Sequence, residues 1–91
     1  MAVKVFFIAK IKDLNLEYQD YSKRVRELAE ANPGFISIES EEIGDVEITI
    51  STWRSKAHVH EWAYHPLHQE VKARAGEWYE WVKGYHVETK D

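Results

Sequence analysis

The sequence predicts a two-layer α+β sandwich in which strands and helices follow one another in the order βαββαβ. Four segments show the period-two alternation of apolar residues typical of strands: 3–11, 35–42, 46–53 and 81–89. Two segments between them repeat apolar residues at helical steps of three and four: 13–31 and 55–78. No repeat, linker or low-complexity stretch interrupts this order, so the 91 residues are predicted to form a single domain.

The first strand is apolar on both of its sides. Val5, Phe7 and Ala9 alternate with Phe6 and Ile8. A strand of this kind is covered on both faces, whereas one layer of helices covers only one face of a sheet. The sequence therefore predicts a homodimer formed through the other face of the sheet.

The first helix carries one apolar stripe and ends at a sharp turn. Its stripe consists of Leu14, Tyr18, Tyr21, Val25 and Leu28. Asn32-Pro33-Gly34 is predicted to end it, because a residue before proline disfavours the helical conformation and glycine accepts a positive φ. The next two strands are predicted to form a hairpin around Ile43-Gly44-Asp45.

The second helical segment is predicted to have two parts. Ser55 is a favourable N-cap for the first part, and His65-Pro66 interrupts the segment. Proline suits the first position of a helix, so a second part can begin there. With both helices on one face of a four-stranded antiparallel sheet, this is the ferredoxin-like arrangement.

Composition excludes several classes of partner. The chain has no cysteine, which rules out disulfides and thiolate metal sites. The net charge is −4 without a basic stripe, so no nucleic-acid partner is expected. No apolar run has the length of a membrane span, and residues 1–12 lack the layout of a signal peptide. A cytoplasmic location and no membrane partner are therefore expected.

Several motifs along the chain are similar to one known family. They are Pro33-Gly34-Phe35, Trp53 followed by Arg54-Ser55-Lys56-Ala57, and then Trp62, His65-Pro66, His68 and Gly76-Glu77-Trp78-Tyr79. With them the chain resembles the antibiotic-biosynthesis-monooxygenase family of the dimeric α/β-barrel group. This resemblance implies homodimers that pair sheet to sheet, with a pocket between sheet and helices in each subunit. Some members oxidise electron-rich phenolic or anthrone-like rings with dioxygen, without metal or flavin, and others bind and open haem.

The resemblance also implies site residues, with departures. Trp53 stands where the quinone-forming members have a tryptophan, and Lys72 lies near the position of an expected arginine. Thr49 and Val59 replace an expected amide and tyrosine. Trp62 matches a tryptophan of the haem-degrading members, but the first strand has no asparagine and Lys72 replaces their histidine. Haem degradation is therefore not expected.

Two histidines are the candidate catalytic residues. His65 and His68 are three residues apart, which makes them neighbours on a helix. Imidazole can take a phenolic proton near neutral pH, and a phenolate gives an electron to oxygen more readily than a phenol does. Alternatively, His65 caps the helix after the kink and His68 is solvated. No metal site is expected, because no His-Glu-x-x-His motif occurs and Pro66 disturbs the histidine spacing.

Aromatic residues cluster around the second helical segment and have two interpretations. They are Trp53, Trp62, Trp78, Tyr79 and Trp81. They either form a flat pocket for a small aromatic molecule or belong to ordinary core and interface packing. Trp53, Trp62 and Tyr79, together with Thr49 and Lys72, are the candidate substrate-binding residues, and Trp81 is a candidate interface residue. Ser51 and Glu39 are strand positions that are either exposed or line a cavity, and Tyr18 and Tyr21 lie at a core edge or in the pocket.

Three functions remain open at this point. The first is a monooxygenase that needs no cofactor and acts on a small phenol- or quinol-type substrate. The second is a module that binds or senses a small molecule without turnover. The third is a haem-binding protein in which His58 or His68 ligates iron.

Overall fold

A computed structural model describes residues 2–89 of the chain. Its elements are β1 (Ala2–Ile11), α1 (Leu16–Glu30), β2 (Phe35–Ile43), β3 (Val46–Trp53), α2 (Lys56–Ala63), α3 (Pro66–Trp78) and β4 (Tyr79–Thr89). The predicted βαββαβ order is confirmed, with the second helical segment divided at Pro66 as expected. Among these residues, no helix is long and apolar enough to cross a membrane.

The four strands form one antiparallel sheet in the order β2-β3-β1-β4. The two central strands therefore are not consecutive in sequence, and each βαβ unit crosses over one strand. In β1, Phe6 lies opposite Ile50 of β3 on one side and Tyr85 of β4 on the other. This topology confirms the predicted α+β ferredoxin-like fold.

Some predicted boundaries were wrong by two or three residues. Helix α1 begins at Leu16 rather than at residue 13, because Asn15 is its N-cap and its side chain accepts a hydrogen bond from the Tyr18 amide at 2.9 Å. Strand β4 begins at Tyr79, directly after α3, rather than at Trp81.

Glycine is required at two turns, for a different reason at each. Gly44, in the hairpin turn, adopts a φ of +63°, which favours glycine. Gly34 was expected to end α1 by accepting a positive φ, but within residues 2–89 Gly44 is the only residue that has one. Gly34 instead lies directly against the ring of His58, so that a Cβ would overlap it. The turn after α1 is thus matched to the start of α2.

The sheet presents its more polar set of side chains to the helices. On β3, Glu47, Ser51 and Trp53 point towards the helices and are buried. Their neighbours Ile48 and Ile50 point to the opposite, open face, where they are half-buried. The apolar set of side chains on β3 therefore faces away from the helices.

The core lies where the end of α3 meets α1 and β1. Ala9 and Trp78 are fully buried, and Tyr79 is almost so. The rings of Tyr18 and Tyr21 pack against Trp78 with centroids at 5.6 and 5.7 Å. Both tyrosines therefore take part in the core, which was one of the two expectations for them.

Candidate functional site

Two clusters of aromatic and titratable side chains lie on the helix-facing side of the sheet, at opposite ends of β3. We call Trp53, Trp62 and His68 the aromatic–histidine cluster. We call Tyr18, Glu47 and Tyr79 the phenol–carboxylate cluster. Trp53 and Glu47 are six residues apart on one strand, which corresponds to about 20 Å at the usual rise of a strand.

The aromatic–histidine cluster is built by the end of β3 and the two parts of the second helical segment. The Trp53 ring lies 5.0 Å from the Trp62 ring, and Trp62 meets the His68 ring edge to face at 4.4 Å. Both indole nitrogens have acceptors: Trp53 Nε1 donates to Ser51 Oγ at 2.9 Å and Trp62 Nε1 to the carbonyl of Val25 at 3.1 Å. The two rings are thus held in fixed orientations.

His68 supplies the unsatisfied polar atom of this cluster. Its Nδ1 is buried and has no hydrogen-bond partner among the described residues. Burial lowers the pKa of His68 to about 4, and the charge of Lys72 acts in the same direction. The imidazole is therefore neutral at pH 7, and of the two alternatives for His68 the solvated one is wrong. A buried polar atom without a partner is a candidate contact for a ligand.

His65 has a defined structural role. It is the N-cap of α3, and its Nδ1 accepts a hydrogen bond from the Leu67 amide at 3.1 Å. The capping interpretation of this residue is confirmed. His65 lies near enough to His68 for its charge to contribute to lowering the pKa of His68. The catalytic role of His65 stays a prediction.

A surface groove adjoins the aromatic–histidine cluster. It has a volume of about 260 Å³ and lies between the end of α1 and α2. Its lining residues are Leu28, Ala31, Asn32, Pro33, Glu61, Trp62 and His65. Trp62 belongs to both the groove and the cluster, so a molecule in the groove would contact the same indole that packs on His68. Three of the predicted site residues, Trp62, His65 and His68, therefore lie in one region with Trp53.

The phenol–carboxylate cluster is a closed hydrogen-bonding unit. Tyr18 OH donates to Glu47 Oε1 at 2.7 Å. Tyr79 OH lies 2.9 Å from Tyr18 OH and 3.1 Å from Glu47 Oε2, and its single proton can serve either acceptor. Glu47 is 8% exposed and forms no ion pair within residues 2–89. Burial raises the pKa of Tyr18 to about 12 and raises that of Tyr79 further.

The remaining predicted residues do not converge on one pocket. Tyr79 belongs to the phenol–carboxylate cluster, at the far end of β3 from Trp53. Thr49 lies between the clusters, and its Oγ1 is 2.8 Å from Ser40 Oγ. Lys72 is exposed, with Nζ 5.4 Å from the centre of the Tyr64 ring. Substrate-binding roles for these three residues stay predictions.

Sequence reasoning missed Glu47 and did not decide the side of Ser51. One pattern could have found both residues. Trp53 ends β3 in the same alternating set as Ser51 and Glu47, and a large aromatic side chain at that position favours the buried face. Glu39, on neighbouring β2, pairs with Ile50 on the open face of the sheet and is exposed.

Among the described residues, no group of three or more histidine, aspartate or glutamate side chains is placed to hold a metal ion. His58, a candidate haem ligand, has its Nδ1 2.7 Å from Ser55 Oγ. Its ring also lies against Gly34. This nitrogen is therefore engaged in the start of α2.

Comparison with solved structures relates this fold to known proteins. SnoaB, a cofactor-independent oxygenase from Streptomyces nogalater, superimposes with a TM-score of 0.80 at 10% identity, over 99% of this chain and 94% of SnoaB. A protein of Nitrosomonas europaea provisionally described as an antibiotic biosynthesis monooxygenase gives 0.79 at 11% identity, over 97% of this chain and 89% of that one. At these identities the likeness shows the fold alone. The expected relation to the antibiotic-biosynthesis monooxygenases is confirmed at that level.

Sequence comparison identifies nearer relatives. The uncharacterised protein YqjZ of Bacillus subtilis is 32% identical over 78 residues, which cover 84% of this chain and 68% of YqjZ. Residues 8–88 also match the profile of DUF3291, a domain of unknown function. The match extends from the middle of β1 almost to the end of β4. The chain therefore belongs to the DUF3291 family.

Proposed function

We propose that this protein is a monooxygenase that needs no cofactor and acts on a small, electron-rich aromatic substrate. The observation that carries the proposal is the buried, unpartnered Nδ1 of His68, whose ring packs on Trp62, the indole that lines the groove. Flat indole surfaces favour aromatic ligands, and the free nitrogen offers one polar contact to a ring hydroxyl. The shared fold with SnoaB supports the reaction class by analogy.

His68 takes the substrate's proton in this proposal. With its pKa lowered to about 4 by burial, a neutral imidazole is a weak base towards a resting phenol. A phenol that has given an electron to dioxygen is a far stronger acid, so a weak base in contact then suffices. One oxygen atom enters the substrate, and the other leaves as water with the two hydrogens that the substrate loses.

Dioxygen uptake with a panel of hydroquinones and anthrones tests this function. His68→Leu removes the nitrogen and is expected to abolish the uptake that the wild-type protein shows. His86→Asn removes an exposed imidazole on β4, outside the groove and the aromatic–histidine cluster, and serves as the matched control, with uptake close to wild type. Absence of uptake across the panel, or equal uptake by His68→Leu, would contradict the proposal.

A second candidate is a binding or sensing module, favoured by the same low pKa of His68. A nitrogen that resists protonation is suited to accept a hydrogen bond from a ligand without chemistry. In a thermal-shift screen of small aromatic molecules, ligands that raise the unfolding temperature and are recovered unchanged would favour this function. A Soret shift on titration with haemin would instead indicate a haem-binding protein.

We further propose that the protein acts as a homodimer joined through the open face of the sheet. Four apolar side chains form the centre of that face: Phe6, Ile8, Ile48 and Ile50. On the same face, β2 carries Glu39 and Glu41, and β4 carries Lys83. A two-fold axis parallel to the strands sets β2 of one copy over β4 of the other, which brings these opposite charges together.

Sedimentation at micromolar concentration tests the dimer. The wild-type protein is expected at twice the chain mass of 10.7 kDa, and Ile48→Glu at the single mass. Leu16→Glu introduces the same charge at an apolar residue that is 82% exposed on α1, and this control is expected to remain dimeric. A wild-type monomer would overturn this part of the proposal.

A further inference from the structure

We propose that Tyr18 is a redox-active tyrosine whose oxidation is coupled to proton transfer to Glu47. This activity belongs to the phenol–carboxylate cluster and does not use His68 or the groove beside Trp62. It can therefore hold or fail independently of the proposed monooxygenase function.

The hydrogen bond between Tyr18 and Glu47 places an acceptor where the proton has to go. A phenol that loses an electron becomes a very strong acid, so its oxidation is easiest when a base is already in contact. Tyr18 OH is 2.7 Å from Glu47 Oε1, the short distance typical of a hydroxyl bound to a carboxylate. Because burial raises the pKa of Tyr18 to about 12, the phenol is protonated at neutral pH and must release its proton on oxidation.

Tyr79 supports the oxidised state. Its hydroxyl lies 2.9 Å from the Tyr18 oxygen and can donate its proton to that atom. After Tyr18 has passed its own proton to Glu47, the remaining oxygen keeps a hydrogen-bond donor in place. A phenoxyl radical formed there is thus hydrogen-bonded and part-buried.

A chain of aromatic rings leads from the surface to Tyr18. The half-buried Tyr21 ring lies 5.7 Å from Trp78, and Trp78 lies 5.6 Å from Tyr18. The Arg74 guanidinium lies over both Tyr21 and Trp78, at 5.2 and 5.3 Å from the ring centres. Its positive charge disfavours a radical cation on either ring. An electron vacancy that enters at Tyr21 is therefore driven on to Tyr18, where the proton can leave and no positive charge remains.

The step balances with one external oxidant, an organic peroxyl radical. The peroxyl radical takes one electron and becomes a hydroperoxide anion. Tyr18 loses that electron, its O–H bond breaks, and it becomes a neutral phenoxyl radical. The proton forms a new O–H bond on Glu47, which changes from carboxylate to carboxylic acid.

Photochemical oxidation with electron paramagnetic resonance detection tests the proposal. A photogenerated ruthenium(III) polypyridyl complex serves as the one-electron oxidant of the intact protein. The wild-type protein is expected to give a neutral tyrosyl radical. Tyr18→Phe should remove that signal and Glu47→Gln should remove most of it, whereas Tyr64→Phe, at an exposed tyrosine, should retain it.

A measurement on the wild-type protein keeps the test valid if a variant fails to fold. Formation of the radical is expected to slow in heavy water, because the proton moves together with the electron. An unchanged rate in heavy water would overturn the proposal. So would a radical that resides on an indole, or a folded Glu47→Gln variant with the wild-type signal.

Discussion

The two ends of β3 differ in whether their buried titratable group has hydrogen-bond partners. At the phenol–carboxylate end, Glu47 accepts from Tyr18 and from Tyr79. At the aromatic–histidine end, the buried Nδ1 of His68 has no hydrogen-bond partner in the described part of the chain. A satisfied polar group stabilises the fold, whereas an unsatisfied one destabilises it and is available to a ligand. The difference separates the part of this layer that maintains the structure from the part that can bind.

The largest expected loss of stability is at the phenol–carboxylate end of β3. Glu47→Ala removes the acceptor of the Tyr18 hydroxyl and one of the two acceptors of the Tyr79 hydroxyl, and should lower the free energy of unfolding by about 2–4 kcal/mol. His68→Leu removes an unpartnered nitrogen and should change it by less than about 1 kcal/mol. Urea unfolding of both variants measures the contrast, and equal losses at the two ends would remove the distinction.

The pH dependence of the free energy of unfolding tests the aromatic–histidine end of β3. The unfolded chain protonates His68 near pH 6.5, whereas the native protein resists protonation until about pH 4. The unfolded state therefore binds more protons in this window, and stability is lost as the pH falls from 6.5 to 4. After allowance for partial exposure, the loss due to His68 is about 2 kcal/mol. Urea unfolding at pH 7 and pH 4 should show that loss in the wild type but not in His68→Leu.

Within the phenol–carboxylate cluster, the two tyrosines should differ. Tyr18→Phe removes the 2.7 Å bond to the carboxylate and should lower the free energy of unfolding by about 1–2 kcal/mol. Tyr79→Phe removes longer contacts and should cost about half as much. Thermal unfolding of the two variants decides the order, and a larger loss for Tyr79→Phe would show that Tyr79 is the principal donor.

The smallest expected effect separates the two histidines. His65→Ala removes the cap of α3 and should lower the free energy of unfolding by about 0.5–1 kcal/mol. Because that loss arises from capping, His65→Ser should recover most of it. Because His65 also lines the groove, ligand binding is measured in both variants. Recovery of stability in His65→Ser without recovery of ligand binding would give His65 a direct role in the site.

The sequence predicted the elements because each is a local pattern. Alternation and helical spacing are read from neighbouring residues. The helix boundaries are likewise marked locally, by Ser55 and by His65-Pro66. The start of β4 at Tyr79 was missed because Trp78 continues the apolar stripe of the helix and no turn residue separates the helix from the strand.

The site could be predicted only in part, because its contacts join distant residues. Tyr18 and Glu47 are separated by 29 positions, and no local pattern reports that they meet. Period-two alternation on β3 defines two faces but does not state which one meets the helices. Trp53 and Trp62 were singled out by their residue type and their motif positions. The structure places their rings 5.0 Å apart.

Nitrogen-15 NMR of histidine-labelled protein, titrated with hydroquinone, tests most directly whether the unpartnered nitrogen of His68 is the ligand-binding atom. The Nδ1 resonance of His68 is expected to shift as this atom gains a hydrogen bond, and His68→Leu should lose the binding. Hydroquinone that binds while the His68 resonances stay unchanged would contradict this expectation.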